Sequence, residues 1–177
     1  TPFAAGQLGE ENESHMVILE CVTLVDPTQW NPLGSGFDVE VTDGTNTNTM
    51  RVDFNTDIFN SPAPEGHFTV VGIGAQSDET SPYNLGYKFY PRYLQDFSNS
   101  VVSSFTMPST IDYTDAGATV SFASTGSTGT YEWSFGDGTT ATDASADHAY
   151  SYDFLAANPT VTVSLSTTIG SCTDVAT

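Results

Sequence analysis

The sequence predicts an all-β protein made of two consecutive units, and three observations carry that prediction. Apolar residues recur with period two, as in Phe37-Asp38-Val39-Glu40-Val41, and no stretch of helical length carries a 3.6-residue stripe. Turn signals such as Asp26-Pro27 and Asp43-Gly44 separate the alternating runs. The polar stretch Ser98-Asn99-Ser100, with Ser103-Ser104 behind it, marks a boundary near residues 97–104, and a fresh set of runs begins after it. The 177 residues suit two small β units. The hydrophobic fraction is only 38%, but 11 Phe, 8 Tyr and 2 Trp supply the rings. Each buried ring removes roughly 150–250 Å² from water, so a modest number holds two cores together.

In the first unit, residues 1–98, five strands are expected. Met16 to Val25 runs up to the Asp26-Pro27 turn. Phe37 to Val41 and Met50 to Phe54 alternate on either side of Thr42-Asp43-Gly44-Thr45, which reads as a hairpin across an Asp-Gly turn. Asn55 to Phe59 is expected to form one helical turn with Asn55 or Thr56 as N-cap, after which Pro62-Ala63-Pro64 forces an extended link. Phe68 to Ile73 is the fourth strand, and Tyr87 to Tyr93, interrupted by Pro91, is the fifth. Five strands with a short helix between the third and fourth is the order of an OB-fold barrel, although a sandwich gives a similar string.

In the second unit, residues 101–177, Thr119 to Ala123 alternates around Val120 and Phe122. Tyr131, Trp133 and Phe135 share one face of a strand, and Val161, Val163 and Leu165 share one face of another. Such rows build the inner faces of two packed sheets, the immunoglobulin-like arrangement.

Charge excludes some partners. The chain has 22 acidic residues against three cations, Arg51, Lys88 and Arg92, for a net charge of −19. Fourteen acids precede residue 99 and eight follow it, whereas all three cations precede it. That balance repels phosphate backbones and anionic lipid. It suits a saline extracellular setting, where salt screens self-repulsion; the plainest account is a solvated acidic coat. No apolar run approaches the length of a membrane span. Cys21 and Cys172 make no metal-binding spacing, and two free thiols are expected, with a bridge between units or between chains as the alternative.

The most specific signal is Trp133-Ser134-Phe135-Gly136-Asp137-Gly138, followed by His148-Ala149-Tyr150 and then Val161-Thr162-Val163-Ser164-Leu165. Together these segments resemble the PKD (polycystic kidney disease) domain over roughly residues 101–177. Physically, Trp133 and Phe135 point inward, Gly136 and Gly138 free the backbone for a tight turn, and the Asp137 carboxylate accepts from nearby N–H groups. His148 and Tyr150 match structural positions of that family. Two departures stand out. Ser151 to Pro159 is longer than the usual turn and holds Phe154 and Leu155, so it is expected to be remodelled. The last strand reads as short, either because the sequence is cut there or because the missing strand is supplied from elsewhere. The first unit, through Thr23 to Pro27, Val41 to Asn46, Gly72 to Gln76 and Pro91-Arg92-Tyr93, resembles OB-like modules of secreted multidomain bacterial proteins, which implies export.

No catalytic constellation emerges. His15, His67 and His148 lie in unrelated contexts, and there is no nucleophile elbow, Walker loop or dinucleotide fingerprint. Calcium is the one cofactor with candidates, in Glu10, Glu11 and Glu13, in Asp112 with Asp115, and in Asp143 with Asp147, although no Asp-x-Asp-x-Asp-Gly loop occurs. Tyr87, Phe89, Tyr90 and Tyr93 beside Lys88 and Arg92 suit a polysaccharide better than nucleic acid, because a sugar needs rings without positive charge.

The expected function is therefore a non-catalytic, extracellular structural or adhesive module of a secreted bacterial surface protein, acting through protein–protein contacts without membrane insertion. The short last strand and a loose segment Thr1 to Gly6, containing Phe3, suggest self-association into a fibre. The alternative is an accessory carbohydrate- or calcium-binding module of a larger secreted enzyme.

Overall fold

A computed structural model describes residues 3–4, 6–83 and 85–177, with side chains for all of these except residues 3, 4 and 99. The chain divides into two compact units, Thr1–Ser100 and Val101–Thr177.

The first unit holds β1 (Phe3–Ala4), β2 (Met16–Leu24), β3 (Gly36–Thr42), β4 (Thr47–Asp53), β5 (His67–Gln76), β6 (Tyr87–Pro91) and β7 (Phe97–Val101). The sheet order is β1-β2-β3-β4-β6-β5-β7, and β2 also pairs with β5. That extra pairing closes β2, β3, β4, β6 and β5 into a five-stranded barrel, the expected OB-like order. Closure depends on β2 serving two partners. Its first half pairs with β5 from Met16↔Ile73 to Leu19↔Val70, and Thr23 and Leu24 pair with β3. Between them the register shifts, and Cys21 adopts φ +52°, a bulge that bends the strand across the barrel corner.

The β3–β4 hairpin forms as expected, with Phe37↔Val52 and Val41↔Asn48 in register. In its turn the Asp43 carboxylate accepts from the N–H groups of Thr45 and Asn46 at 2.8 and 2.6 Å, while Gly44 takes φ +87°. Inward residues of these strands, among them Val17, Leu19, Val39, Val41, Met50, Val52, Phe68, Val70 and Phe89, make the core. Gly72 of β5 is needed because a Cβ there would lie 2.5 Å from the Tyr90 carbonyl oxygen and 2.7 Å from Cζ of Phe89.

Several expectations change. Residues 55–59 form linked turns rather than a helix: the backbone bonds span three residues, from Thr56 N–H to Asp53 and from Phe59 N–H to Thr56. The Asp53 carboxylate, not Asn55 or Thr56, accepts at the start, from Asn55 N–H at 2.8 Å. Those turns still insert Ile58 into the core, fully buried, beside Phe59, Phe37 and Trp30. Ser98 to Ser100 belongs to β7, which runs up to the division between the two units. In the segment expected to be loose, Phe3–Ala4 pairs in parallel with Val17 and Ile18; residues 1, 2 and 5 lie outside the described residues. Neither cysteine is a free thiol; both are in the disulfide state.

The second unit holds β8 (Phe105–Thr106), β9 (Ala118–Ser124), β10 (Thr130–Ser134), β11 (Thr140–Ala141), β12 (Ser145–Tyr150), α1 (Tyr152–Ala157), β13 (Ser164–Ile169) and β14 (Cys172–Ala176). They form a four-stranded sheet, β11-β10-β13-β14, and a three-stranded sheet, β12-β9-β8, which is the expected sandwich. Val120, Phe122, Trp133, Phe135, Tyr150, Leu155, Val163 and Leu165 fill its core. The run expected as a strand over Val161 to Leu165 pairs only from Ser164, although Val163 and Leu165 are buried as anticipated. The last strand is not missing: β14 pairs along β13 from Leu165↔Ala176 to Ile169↔Cys172. Ser103, part of the polar boundary stretch, is nonetheless buried and donates through its hydroxyl to the Leu165 carbonyl at 2.7 Å.

Replacing Ile58 with Ala should leave a cavity in the barrel and cost about 2–5 kcal/mol. Leu33→Ala, at a side chain 72% exposed, should stay within about 0.5 kcal/mol. Urea unfolding followed by tryptophan fluorescence measures both.

Candidate functional site

The residues singled out in sequence converge on one place, where the two sheets of the sandwich meet. Trp133 is the fourth residue of β10, and Phe135 follows the strand directly; both belong to the four-stranded layer and are buried. His148 and Tyr150 lie on β12, in the three-stranded layer. The rings form one continuous column. Trp133 and Phe135 stack at 6.3 Å, Phe135 and His148 stack at 4.2 Å with planes 2° apart, and His148 meets Tyr150 edge-on at 4.5 Å.

Polar bonds close the same junction. The Tyr150 hydroxyl donates to the Phe135 carbonyl at 2.8 Å, a buried bond between layers. His148 Nε2 lies 2.7 Å from Asp137 Oδ2, and both side chains are largely buried. Asp137 Oδ1 accepts from the Thr139 N–H at 3.0 Å and the Thr139 hydroxyl at 2.6 Å, and the Phe135 N–H donates to the Thr139 carbonyl at 3.2 Å. On the other flank, Trp133 Nε1 donates to the Asp143 carbonyl at 2.8 Å.

Desolvation pushes the Asp137 carboxyl up, but the Thr139 hydroxyl and N–H, and then His148, outweigh it and hold the group at about 2. Burial, helped by the charge of Asp137, pushes the Tyr150 phenol up to about 12, so it stays a neutral donor. A turn that puts Asp137 here needs left-handed backbone at Gly136 (φ +81°) and Gly138 (φ +89°). At Gly136 space is also short, because a Cβ would sit 2.5 Å from the Thr162 carbonyl oxygen.

The loop beyond Tyr150 departs from the expected outline. Ser151 caps α1 by accepting from the Phe154 N–H at 3.3 Å, Phe154 stacks on Tyr150 at 5.7 Å, and Leu155 is buried. Ser151 ahead of a Phe-Leu pair, with Pro159 behind, was the available helix signal. Near α1 lies a cavity of about 660 Å³ that sequence reasoning missed. Val120, Phe122, Tyr150 and Val163 floor it, the segment from Met107 to Tyr113 walls one side, and Leu155 with residues 158–161 walls the other.

Elsewhere the expected ligand residues disperse. Phe89 is fully buried in the barrel core, so the four rings of residues 87–93 do not share one surface; Tyr93 is exposed and Tyr90 half-buried. Every cation is engaged by carboxylate: Lys88 and Arg51 contact Asp38 at 2.8 and 3.2 Å, and Arg92 contacts Asp96 at 2.8 Å. The Tyr87 hydroxyl donates to Glu10 at 2.8 Å, which together with desolvation pushes that phenol up to about 12. Asp112, Asp115 and Asp143 are exposed, and Asp147 accepts from the Ser121 hydroxyl at 2.6 Å. Among the described residues, no group of three or more His, Cys, Asp or Glu side chains converges as a metal site would require.

Two packed β-sheets joined in this way make the second unit an immunoglobulin-like sandwich. Residues 106–176 match the family model of the PKD domain, and such domains are non-catalytic modules. No curated protein matches the chain.

Gly136→Ala should cost more than the roughly 1–3 kcal/mol of strained backbone alone, because the Thr162 carbonyl also blocks it. Gly138→Ala, with nothing within 4 Å of its Cβ, should cost no more than that range. Thermal melts of the two variants separate these outcomes. A second expectation concerns acid. The folded value of Asp137 lies below its ordinary 3.8, so its stabilisation is complete above 3.8 and fades as pH falls toward about 2. The melting-temperature gap between the parent and Asp137→Asn should narrow across that interval.

Proposed function

We propose that the chain is a non-catalytic, extracellular structural or adhesive part of a secreted bacterial surface protein. The barrel and the sandwich serve as spacer and contact surface. The carrying observation is what the motif residues are bonded to. Asp137, His148 and Tyr150, the titratable side chains of the motif, are spent on one another, on Thr139 and on a backbone carbonyl that fastens the two sheets. PKD domains act as extracellular adhesive or structural modules, which agrees with this reading. Two further facts support export. Both cysteines are in the disulfide state, which persists in oxidising compartments. A net charge of −19 favours solubility in saline surroundings. Separately, no helix among the described residues is long and apolar enough to cross a membrane.

Self-association into a fibre loses the missing strand that first suggested it, since β14 occupies that position. The contact role stands without it.

The test is fractionation of cells that make the protein, with thiol alkylation before and after reduction. The protein should be recovered outside the cell, unlabelled until reductant is added. Retention in the cytoplasm with both thiols alkylated would refute the proposal.

A further inference from the structure

We infer that the cavity beside β9 is a docking slot for an extended peptide with alternate apolar residues and Lys or Arg at its flanks, supplied by another protein. This rests on the contact role proposed above and names the partner's chemistry. The first observation is an unfilled sheet edge. β8 pairs with β9 at two positions only, Phe105↔Ser124 and Thr106↔Ala123, and the chain then leaves the sheet. On its other side β9 is paired with β12 all the way from Ala118 to Ala123.

The orientation of the free edge follows from strand geometry. The Thr125 N–H donates to Ser104 on the β8 side, and the Ser124 N–H donates to Ala144 on the β12 side. Alternate residues face alternate partners, so Thr119 and Ser121 direct their N–H and C=O groups to the vacated edge. No backbone hydrogen bond joins residues 107–113 to residues 118–122 among the described residues. Those four groups can take an added strand.

The second observation is the space under the inward face of β9, where Val120 and Phe122 lie next in sequence to the edge residues Thr119 and Ser121. A cavity of about 660 Å³, floored by Val120, Phe122, Tyr150 and Val163, can receive the apolar side chains of such a strand. Main-chain bonds would then supply affinity, and the cavity would select which side chains enter.

Charge complementarity selects the occupant. The sandwich carries eight acidic residues and no Lys or Arg. Tyr113 and Tyr152 meet at 5.9 Å beside the cavity, and their chain neighbours Asp112 and Asp153 are both exposed. A segment with cationic flanks is drawn to this rim. A second copy, itself at −19, is repelled.

Calorimetric titration of the full chain tests the inference, with a synthetic peptide of alternating Val and Thr carrying Lys at both ends. The same peptide with Glu at both ends is the control. The Lys peptide should bind, and the Glu peptide at least about 10-fold more weakly, with the gap shrinking in high salt. Thr119→Pro removes an outward N–H while sparing the ladder to β12, and should weaken binding about 10-fold or more. Ala156→Trp, at an exposed position on the cavity wall, should do the same without touching the strand; melting temperature checks that both variants fold. No heat with the Lys peptide, equal binding of both peptides, or unchanged binding by both variants would overturn the inference. So would sedimentation in which copies of the chain pair with one another and compete with the peptide. None of these results bears on cell fractionation, so failure of the slot and failure of the extracellular reading remain distinct.

Discussion

Everything in the sandwich depends on the close passage of Gly136 beneath the Thr162 carbonyl. Because no side chain intervenes, the chain turns immediately after Phe135 and returns Asp137 to within 2.7 Å of His148 on the opposite sheet. That single placement brings the carboxylate to the imidazole, flattens the imidazole on Phe135 and leaves the Tyr150 hydroxyl facing the Phe135 carbonyl. In antibody domains a disulfide joins the two layers near a buried Trp. Here ring stacking and charge-assisted hydrogen bonds span the layers beside Trp133.

The barrel meets its geometric problem differently. A five-stranded ring closes only when one strand turns a corner and serves both halves, and β2 does so through the bulge at Glu20 and Cys21. The aromatic cluster of Trp30, Phe37, Phe59, Phe68 and Phe97 then packs with Ile58 in the same core. Trp30 also donates through Nε1 to the Ser61 carbonyl at 2.9 Å, so the irregular stretch after β4 is anchored through its backbone as well as by Ile58.

Much of this was legible in sequence wherever alternation and turn chemistry act locally. Phe37 to Val41, the Asp43-Gly44 turn and Met50 to Phe54 announce a hairpin because the pattern and the turn agree. The Trp133 to Gly138 segment announces its strand and bend for the same reason. What escaped depends on partners distant in the chain. Nothing local distinguishes Phe89, a core residue, from Tyr90, a half-buried one, except the pairing of β6 with both β4 and β5. That Ser98 to Ser100 lies in a strand escaped because its side chains are polar, and pairing at the sheet edge needs only their backbone. The cavity beside β9 was invisible since it is made by an early departure of residues 107–113 from the sheet, which Pro108 hints at but does not define.

The engagement of all three cations has a further meaning. Arg51 and Lys88 are committed to one carboxylate, Asp38, and Arg92 to Asp96, so most of the 22 acidic groups have no covalently tethered counter-charge. Their neutralisation is outsourced to small ions gathered from the medium. A molecule so charged gathers a diffuse sheath of cations, whose thickness shrinks as ionic strength rises. How near two such particles approach is thus set by the salt of the medium, through a mantle that no side chain encodes.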